Sequence, residues 1–502
     1  MDVPGTDVPR PVRPELGAWP AAALVFGSSA AVLVVELVAL RLLAPYFGLT
    51  LETSTMVIGL ALTAIAAGTW AGGWIADRVP PRGLIGPLLG VSGAVVAATP
   101  VLVRGAAAGA GDLLVLVAAL TILVPGALLS AVSPVVIKLR LTSLDETGST
   151  VGRLSGLGTV GSIFGTVLTG FVLISRVPVS GILVGLGVLL LATSVLVHLA
   201  SRRPGRGETA LGAVVLLGGL GAAFAPSGCD TETTYHCLAI DADPDRPSGR
   251  TLVLDGLRHS YVDDDPTHLE FPYVQAMASV IDTAYTGGGP IDAYYLGAGA
   301  LTLPRYVSAT RPGSENRVSE IDGGVVDAAA ELLGDDFPDG TEVRVEDGRL
   351  AIDDLAPGSL DLVVGDAFGG VSVAWHLATL EALAGFDAAL EEDGVYLANV
   401  IDHGPLDFAR AYAGTTAEVF DEVALLATPE VLAGEDGGNL VIVASRAPLD
   451  VEAVLSSGGR RGLGWSALSG AELDRWVGDA PVLTDDHAPV DQLLTPYSRE
   501  SA

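Results

Sequence analysis

The chain has 502 residues, half of them hydrophobic, and yet a net charge of −32. Residues 1–228 hold 13 Lys+Arg against 10 Asp+Glu, whereas residues 229–502 hold 14 against 49. That division excludes one uniform globule, because the two halves suit different solvents, and the acidity excludes a nucleic-acid partner, which needs the opposite sign.

Lys138 is the only lysine; every other cation is arginine. Dense carboxylates with almost no lysine suit a surface hydrated in concentrated salt, where self-repulsion is screened, as in a halophile. Acidic drift in a GC-rich genome gives the same composition.

Taken in chain order, residues 1–20 read as an N-terminal tail and 21–228 as a transmembrane helical domain. Apolar runs recur at about 21–44, 55–76, 84–103, 112–137, 155–175, 179–199 and 209–226. Most reach the roughly 20 residues that a spanning helix needs. The first is too long for a signal peptide and has no small-residue cleavage site after it. The last is short and glycine-rich, so the count is six or seven helices.

Arg78, Arg82, Lys138, Arg140, Arg153, Arg202, Arg203 and Arg206 fall after the even-numbered helices, against Arg41, Arg104 and Arg176 after the odd-numbered ones. The excess predicts a multi-pass cell-membrane protein with a cytoplasmic N-terminus. Seven spans would put the C-terminal half outside, and six would put it inside.

Glu36 falls within the first helix. It is either an intramembrane functional carboxylate or the partner of Arg41, whose side chain can snorkel. GGWIADRVPPR at 72–82 resembles the loop after the second helix of major facilitator transporters, on Gly73, Asp77 and Arg78. Read without that resemblance, it is a small-residue packing contact followed by a basic turn.

Cys229 and Cys237 follow the last apolar run. Two cysteines are too few for a zinc site without matching histidines. They form either a short disulfide, which requires an oxidising side, or two free thiols.

Residues 229–290 read as a β-hairpin region, with strand-like runs at 235–240 and 251–256. Residues 291–502 read as a Rossmann-like α/β domain. Its candidate strands are 293–297, 317–321, 342–346, 360–366, 394–400 and 439–445, separated by helical stretches. That alternation predicts a doubly wound, mostly parallel sheet.

Ligands of such sheets bind beyond the carboxyl ends of the strands, and candidate residues gather there. Gly297 and Gly299 follow the first strand and let backbone approach a ligand. Glu320 and Asp322 end the second, where a carboxylate can accept ribose hydroxyls. Asp347 and Gly348 end the third, beside an adenine edge, and Asp366 ends the fourth. Each alone could be a helix cap; four in register point to a nucleoside site. GAGALTLP lacks the third glycine of GxGxxG at its usual spacing, which favours an adenosine-type ligand over NAD.

His259 and His268 flank Asp263, Asp264 and Asp265. Their spacing fits no standard ligand pattern, so no metal is expected, and a solvated acidic loop is the reading. Asp485, Asp486 and His487 read as a capped turn, with closure over the site as the alternative. No GxSxG elbow occurs, so a serine hydrolase is unsupported.

LDGLRHSYVDDDPTHLE (254–270), YYLGAGALTLPRY, SEID, VEDGR and VVGDAFGG resemble, in that order, the motifs of the spermidine synthase family, the polyamine aminopropyltransferases. PTHLEF (266–271) and LTDDHAPVD (483–491) resemble segments of its membrane-fused members. The resemblance implies an adenosyl-methyltransferase-type fold and aminopropyl transfer from decarboxylated S-adenosylmethionine to a polyamine. Glu320 would hold the ribose, Asp347 and Gly348 the adenine, and Asp366 the reacting amine. His259, His268 and Glu270 would line the acceptor.

The departures from the family pattern fall on the acceptor side. Ala300 and Gly369 stand where the family carries aspartates, His259 where it has glutamine, and His268 where it has tyrosine. A missing carboxylate leaves an ammonium without a partner. The expectations are a membrane-anchored transferase with S-adenosylmethionine or its decarboxylated form as co-substrate and no permanent cofactor. The alternatives are a transporter or sensor that binds without turnover, and a methyltransferase. Expected partners are the lipid bilayer, a nucleoside and a polyamine, with a homo-oligomer left open.

Overall fold

The computed structural model describes residues 16–47, 51–109, 111–141, 147–174, 176–200, 229–334, 337–368 and 373–495. The seventh apolar run, Arg202, Arg203, Arg206 and Gly369 lie outside them. The chain divides into two compact units, with the change at Gly228–Cys229.

The first unit contains α1 (Ala18–Phe47), α2 (Leu51–Ala76), α3 (Ile85–Gly109), α4 (Gly111–Arg140), α5 (Thr147–Leu168, continued by a π turn at Thr169–Leu173) and α6 (Val179–Ala200). All six are long and apolar enough to cross a membrane. Lipid gives apolar helices no hydrophobic reason to associate, so they pair through small residues that let backbones approach. A methyl on Gly72 of α2 would stand 2.7 Å from the Ala131 Cα of α4. One on Gly93 of α3 would meet the Gly187 carbonyl of α6 at 2.7 Å, and one on Gly165 of α5 the Ala30 carbonyl of α1 at 2.5 Å.

The 72–82 segment is built as a packing contact followed by a basic turn. Gly72 seats α2 on α4, the Arg78 guanidinium lies 3.9 Å over the Trp74 ring, and Lys138 bonds Asp77 at 2.7 Å. Glu36 is half-buried on α1.

The second unit opens with an antiparallel sheet of β1 (Thr231–Glu232), β2 (Cys237–Ala242), β3 (Arg250–Leu254) and β4 (Leu257–Val262). α7 (Pro272–Ala284) leads into β5 (Asp292–Leu296), α8 (Thr302–Thr310), β6 (Glu315–Glu320), α9 (Gly323–Leu333), β7 (Thr341–Val345), α10 (Gly348–Ala351), β8 (Leu360–Gly365), α11 (Leu380–Ala389) and β9 (Leu390–Asp402). α12 (Asp407–Ala417), β10 (Glu422–Ala427), α13 (Pro429–Leu432), β11 (Gly438–Ser445), α14 (Val451–Arg460), β12 (Ser466–Ser469), α15 (Ala471–Val477) and α16 (Val490–Leu493) complete it.

The large sheet runs β12-β10-β11-β9-β8-β5-β6-β7. β7, β6, β5, β8 and β9 are parallel, and β11, β10 and β12 extend the β9 side antiparallel. The sheet is therefore mixed where the sequence predicts a mostly parallel one. β10 is rich in Ala and Leu, which suit a helix equally well. β12 has four residues and no fully buried side chain, so it has no apolar run to betray it.

Both faces are covered, as parallel strands require. Along β5, Ala293 and Tyr295 enter the core with Met277, Ile281 and Val307, while Tyr294 and Leu296 enter the core with Phe386, Tyr396 and Phe408. The chain runs outward from β5 through β6 to β7, then returns to β8 on the other side of β5. In open α/β sheets ligands bind at such a reversal, which here falls at the carboxyl ends of β5 and β8.

Candidate active site

The turn leaving β5 lies against the residue leaving β8. Gly297 has φ +92°, and a methyl there would stand 2.6 Å from the Asp366 carbonyl oxygen. Gly299 is also left-handed, with φ +48°. Left-handed backbone favours glycine at both, and at Gly297 the nearby Asp366 carbonyl excludes a side chain as well. From the hairpin sheet, Ser260 Oγ accepts from the Ala300 amide at 3.1 Å and bonds Thr302 Oγ1 at 3.0 Å. His259, next to Ser260 on β4, points its Nδ1 to the Leu257 carbonyl at 3.0 Å, and its ring centroid lies 6.4 Å from that of His236.

Glu320 folds back over the same turn. One carboxylate oxygen accepts from the Ala298 amide and the other from the Asp322 amide, both at 2.9 Å. Burial raises its pKa, against the pull of those two amides. Asp322 is buried and caps α9 by accepting from Gly324 N at 3.0 Å, while its other oxygen accepts the Thr233 hydroxyl. Asp347 caps α10, accepting from Arg349 N at 2.8 Å. Gly348 packs against the Leu296 side chain, whose Cδ2 would have to move to admit a Cβ there.

Asp366 is the centre of a side-chain network. Oδ1 accepts from Asn399 Nδ2 at 2.9 Å and Oδ2 from the Tyr273 hydroxyl at 3.2 Å. Asn439 Nδ2 donates to Asn399 Oδ1 at 2.9 Å, which fixes which end of that amide faces Asp366. Burial lifts the Asp366 pKa to about 6, and the two donors oppose that rise. A carboxyl poised there exchanges protons near neutrality.

Tyr273, Asn399 and Asn439 are absent from the sequence expectations. Asn399 carried a signal: it is the one polar side chain apart from the Tyr396 hydroxyl in the run 394–401 of β9, near the carboxyl end of that strand. Tyr273 follows Glu270 by three residues and stands in the first turn of α7. The His268 ring meets Tyr261 edge-on at 5.9 Å, and its Nε2 lies 3.5 Å from Glu270.

In the 263–265 segment Asp264 and Asp265 are exposed, as a solvated loop requires, and Asp263 alone departs from that reading. Asp263 is buried and accepts from Arg246 Nη2 at 3.0 Å and Ser248 Oγ at 2.7 Å. Asp265 accepts from Thr267 N at 2.9 Å, closing a turn. Among the described residues no three of His, Cys, Asp or Glu gather as a metal ion requires.

Residues 484–487 form a turn, with Thr484 and His487 exchanging backbone bonds. The turn also reaches the site. Asp485 accepts from Arg349 Nη2 and from Thr379 Oγ1, each at 2.7 Å, so it clasps the segment that carries Asp347 and Gly348.

The segment around β1 and the start of β2 is closed on itself. Cys229 and Cys237 form a disulfide, with Cα atoms 5.3 Å apart. Within the closed loop, His236 Nδ1 lies 2.8 Å from Asp255 Oδ2. Burial alone would depress the His236 pKa; the Asp255 hydrogen bond and the charges of Asp255, Asp322 and Glu320 outweigh it and raise it.

No family model matches the chain, and no curated protein matches it by sequence. Among solved structures it is similar to a probable spermidine synthase from Corynebacterium glutamicum ATCC 13032, with TM-score 0.47 and 25% identity over 51% of this chain and 95% of that one. It is similar to spermidine synthase from Thermotoga maritima, with TM-score 0.32 and 19% identity over 52% of this chain and 81% of that one. It is also similar to human methyltransferase-like protein 13 in complex with SAH, with TM-score 0.31 and 18% identity over 44% of this chain and 96% of that one.

Proposed function

We propose that the α/β unit is a membrane-anchored transferase that moves an aminopropyl group from decarboxylated S-adenosylmethionine to an amine. The observation that carries this reading is Asp366, held by Asn399 and Tyr273 beside the β5 glycine turn with its pKa near 6. Glu320 takes the ribose, and the Asp347–Gly348 segment takes the adenine edge. The acceptor nitrogen attacks the aminopropyl carbon next to the sulfonium. A C–N bond forms, the C–S bond breaks, and sulfur keeps the electron pair as neutral methylthioadenosine. The new ammonium passes its proton to Asp366.

The acceptor side supports an amine other than the usual polyamine. Ala300 is fully buried among Leu238, Leu252, Leu254 and Val262, so an apolar contact replaces the carboxylate that the resemblance leads one to expect there. The test is purified full-length protein with labelled donor and a panel of amines. Methylthioadenosine release that Asp366→Asn abolishes supports the reading. S-adenosylhomocysteine release from S-adenosylmethionine would replace it with methyl transfer, and tight binding without product would replace it with a sensor or transporter domain.

The disulfide favours seven spans over six, since such bonds persist on an oxidising side. The α/β unit then faces away from the cytoplasm, and a donor made inside reaches it by way of the helical unit. Labelling of intact cells with an impermeant maleimide, after reduction, tests that orientation.

A further inference from the structure

β1 is two residues long and pairs only Thr231 with Leu238 and Glu232 with Cys237. So short an edge pairing is marginal by itself. What closes it is the Cys229–Cys237 bond, which spans a sequence separation of 8. The closed loop is internally ordered: Thr233 N donates to the His236 carbonyl at 2.8 Å, and His236 N returns a bond to Thr233 Oγ1 at 2.8 Å. Asp255 anchors its far end, accepting from Cys237 N at 2.9 Å while facing His236 Nδ1.

The product of this order is one hydroxyl in one place. Thr233 Oγ1 donates to Asp322 Oδ2, leaving Oδ1 to cap α9. The Asp322 amide in turn donates to Glu320, whose other oxygen takes the Ala298 amide. Thr233 is packed closely as well, since a Cβ on Gly324 would overlap its side chain.

We propose that Thr233 is a positioning residue for the Glu320–Asp322 pair, and that the Cys229–Cys237 disulfide holds it in place, so that nucleoside affinity depends on the redox state of this bond. The proposal rests on the nucleoside reading of the site. Reduction takes two electrons and two protons. A water-soluble phosphine supplies the electrons and becomes its oxide with oxygen from water, and the two sulfurs leave as thiols. The loop then regains its chain freedom, and Asp322 loses a charge-assisted donor.

The experiment is titration calorimetry of 5′-methylthioadenosine into the full-length protein in detergent, oxidised and phosphine-reduced. Reduction should weaken binding about tenfold, the loss of one hydrogen bond to a charged group. Thr233→Val, which is isosteric, should weaken the oxidised protein to the same extent and make it nearly insensitive to reduction. Thr233→Ser should bind as the parent does. The double variant Cys229→Ser/Cys237→Ser should match the reduced protein with or without phosphine.

Equal affinity before and after reduction, or an unchanged Thr233→Val, overturns the proposal while leaving the nucleoside reading intact. Absence of binding by the oxidised parent overturns the nucleoside reading itself, and the proposal with it.

Discussion

Asn399 presents its amide nitrogen to Asp366 at 2.9 Å and cannot turn away, because Asn439 occupies its carbonyl oxygen. A neutral, oriented donor holds the carboxylate in position without supplying a full charge. The Asp366 pKa therefore stays near 6, raised by burial against the pull of the two donors.

Tyr273→Phe removes the second donor and keeps the ring. The Asp366 pKa should rise further, since only the ionised form gains from that hydroxyl. The acid limb of the rate–pH profile should move to higher pH, with the plateau above it nearly unchanged. A profile of kcat/KM for parent and variant checks this.

The same carboxyl links stability to pH. Its folded-state pKa lies above its unfolded value, so the folded protein binds the proton more tightly. Stability from this group is greatest below the unfolded value and falls as pH rises through about 6. Asp366→Asn should abolish that fall and stabilise the protein at neutral pH by up to about 3 kcal/mol. Thermal unfolding across pH would show it, with activity lost throughout.

Ala300→Asp should not restore a polyamine site. Its side chain is fully buried in an apolar cluster, and a carboxylate there lacks a partner. A loss of roughly 3 kcal/mol or more is expected, read as a lower melting temperature of the α/β unit.

Asp485→Asn should separate binding from chemistry. The Arg349 pair is partly exposed, with Asp485 41% accessible, so the stability loss should stay under about 1 kcal/mol. Loosening the Asp347–Gly348 segment should raise the donor KM severalfold while kcat holds. Steady-state kinetics with varied donor distinguishes this from a general loss of fold.

In the helical unit, two adjacent glycines should respond differently. A side chain on Gly72 would run into the Ala131 backbone, whereas Gly73 has only the Pro134 Cβ, at 3.9 Å. Gly72→Val should lower the yield of monodisperse protein sharply, a strain of about 1–3 kcal/mol. Gly73→Ala should be nearly silent. Size-exclusion profiles after graded heating in detergent compare the two.

The division into two solvents, six or seven apolar spans and the strand ends where Gly297, Glu320, Asp347 and Asp366 stand are all legible along the chain. Those features follow from local periodicity and from which side chains must leave water, and both are written along the chain. Only the tertiary structure decided what each residue touches. Tyr273 meets Asp366 across 93 positions and Thr233 meets Asp322 across 89, pairings that no local pattern encodes. It also decided that Cys229 bonds Cys237, that Ala300 lies in an apolar cluster, and that three antiparallel strands extend the sheet. Burial selects residue types along a segment, whereas a hydrogen bond selects a partner, and the partner is chosen by how the segments pack.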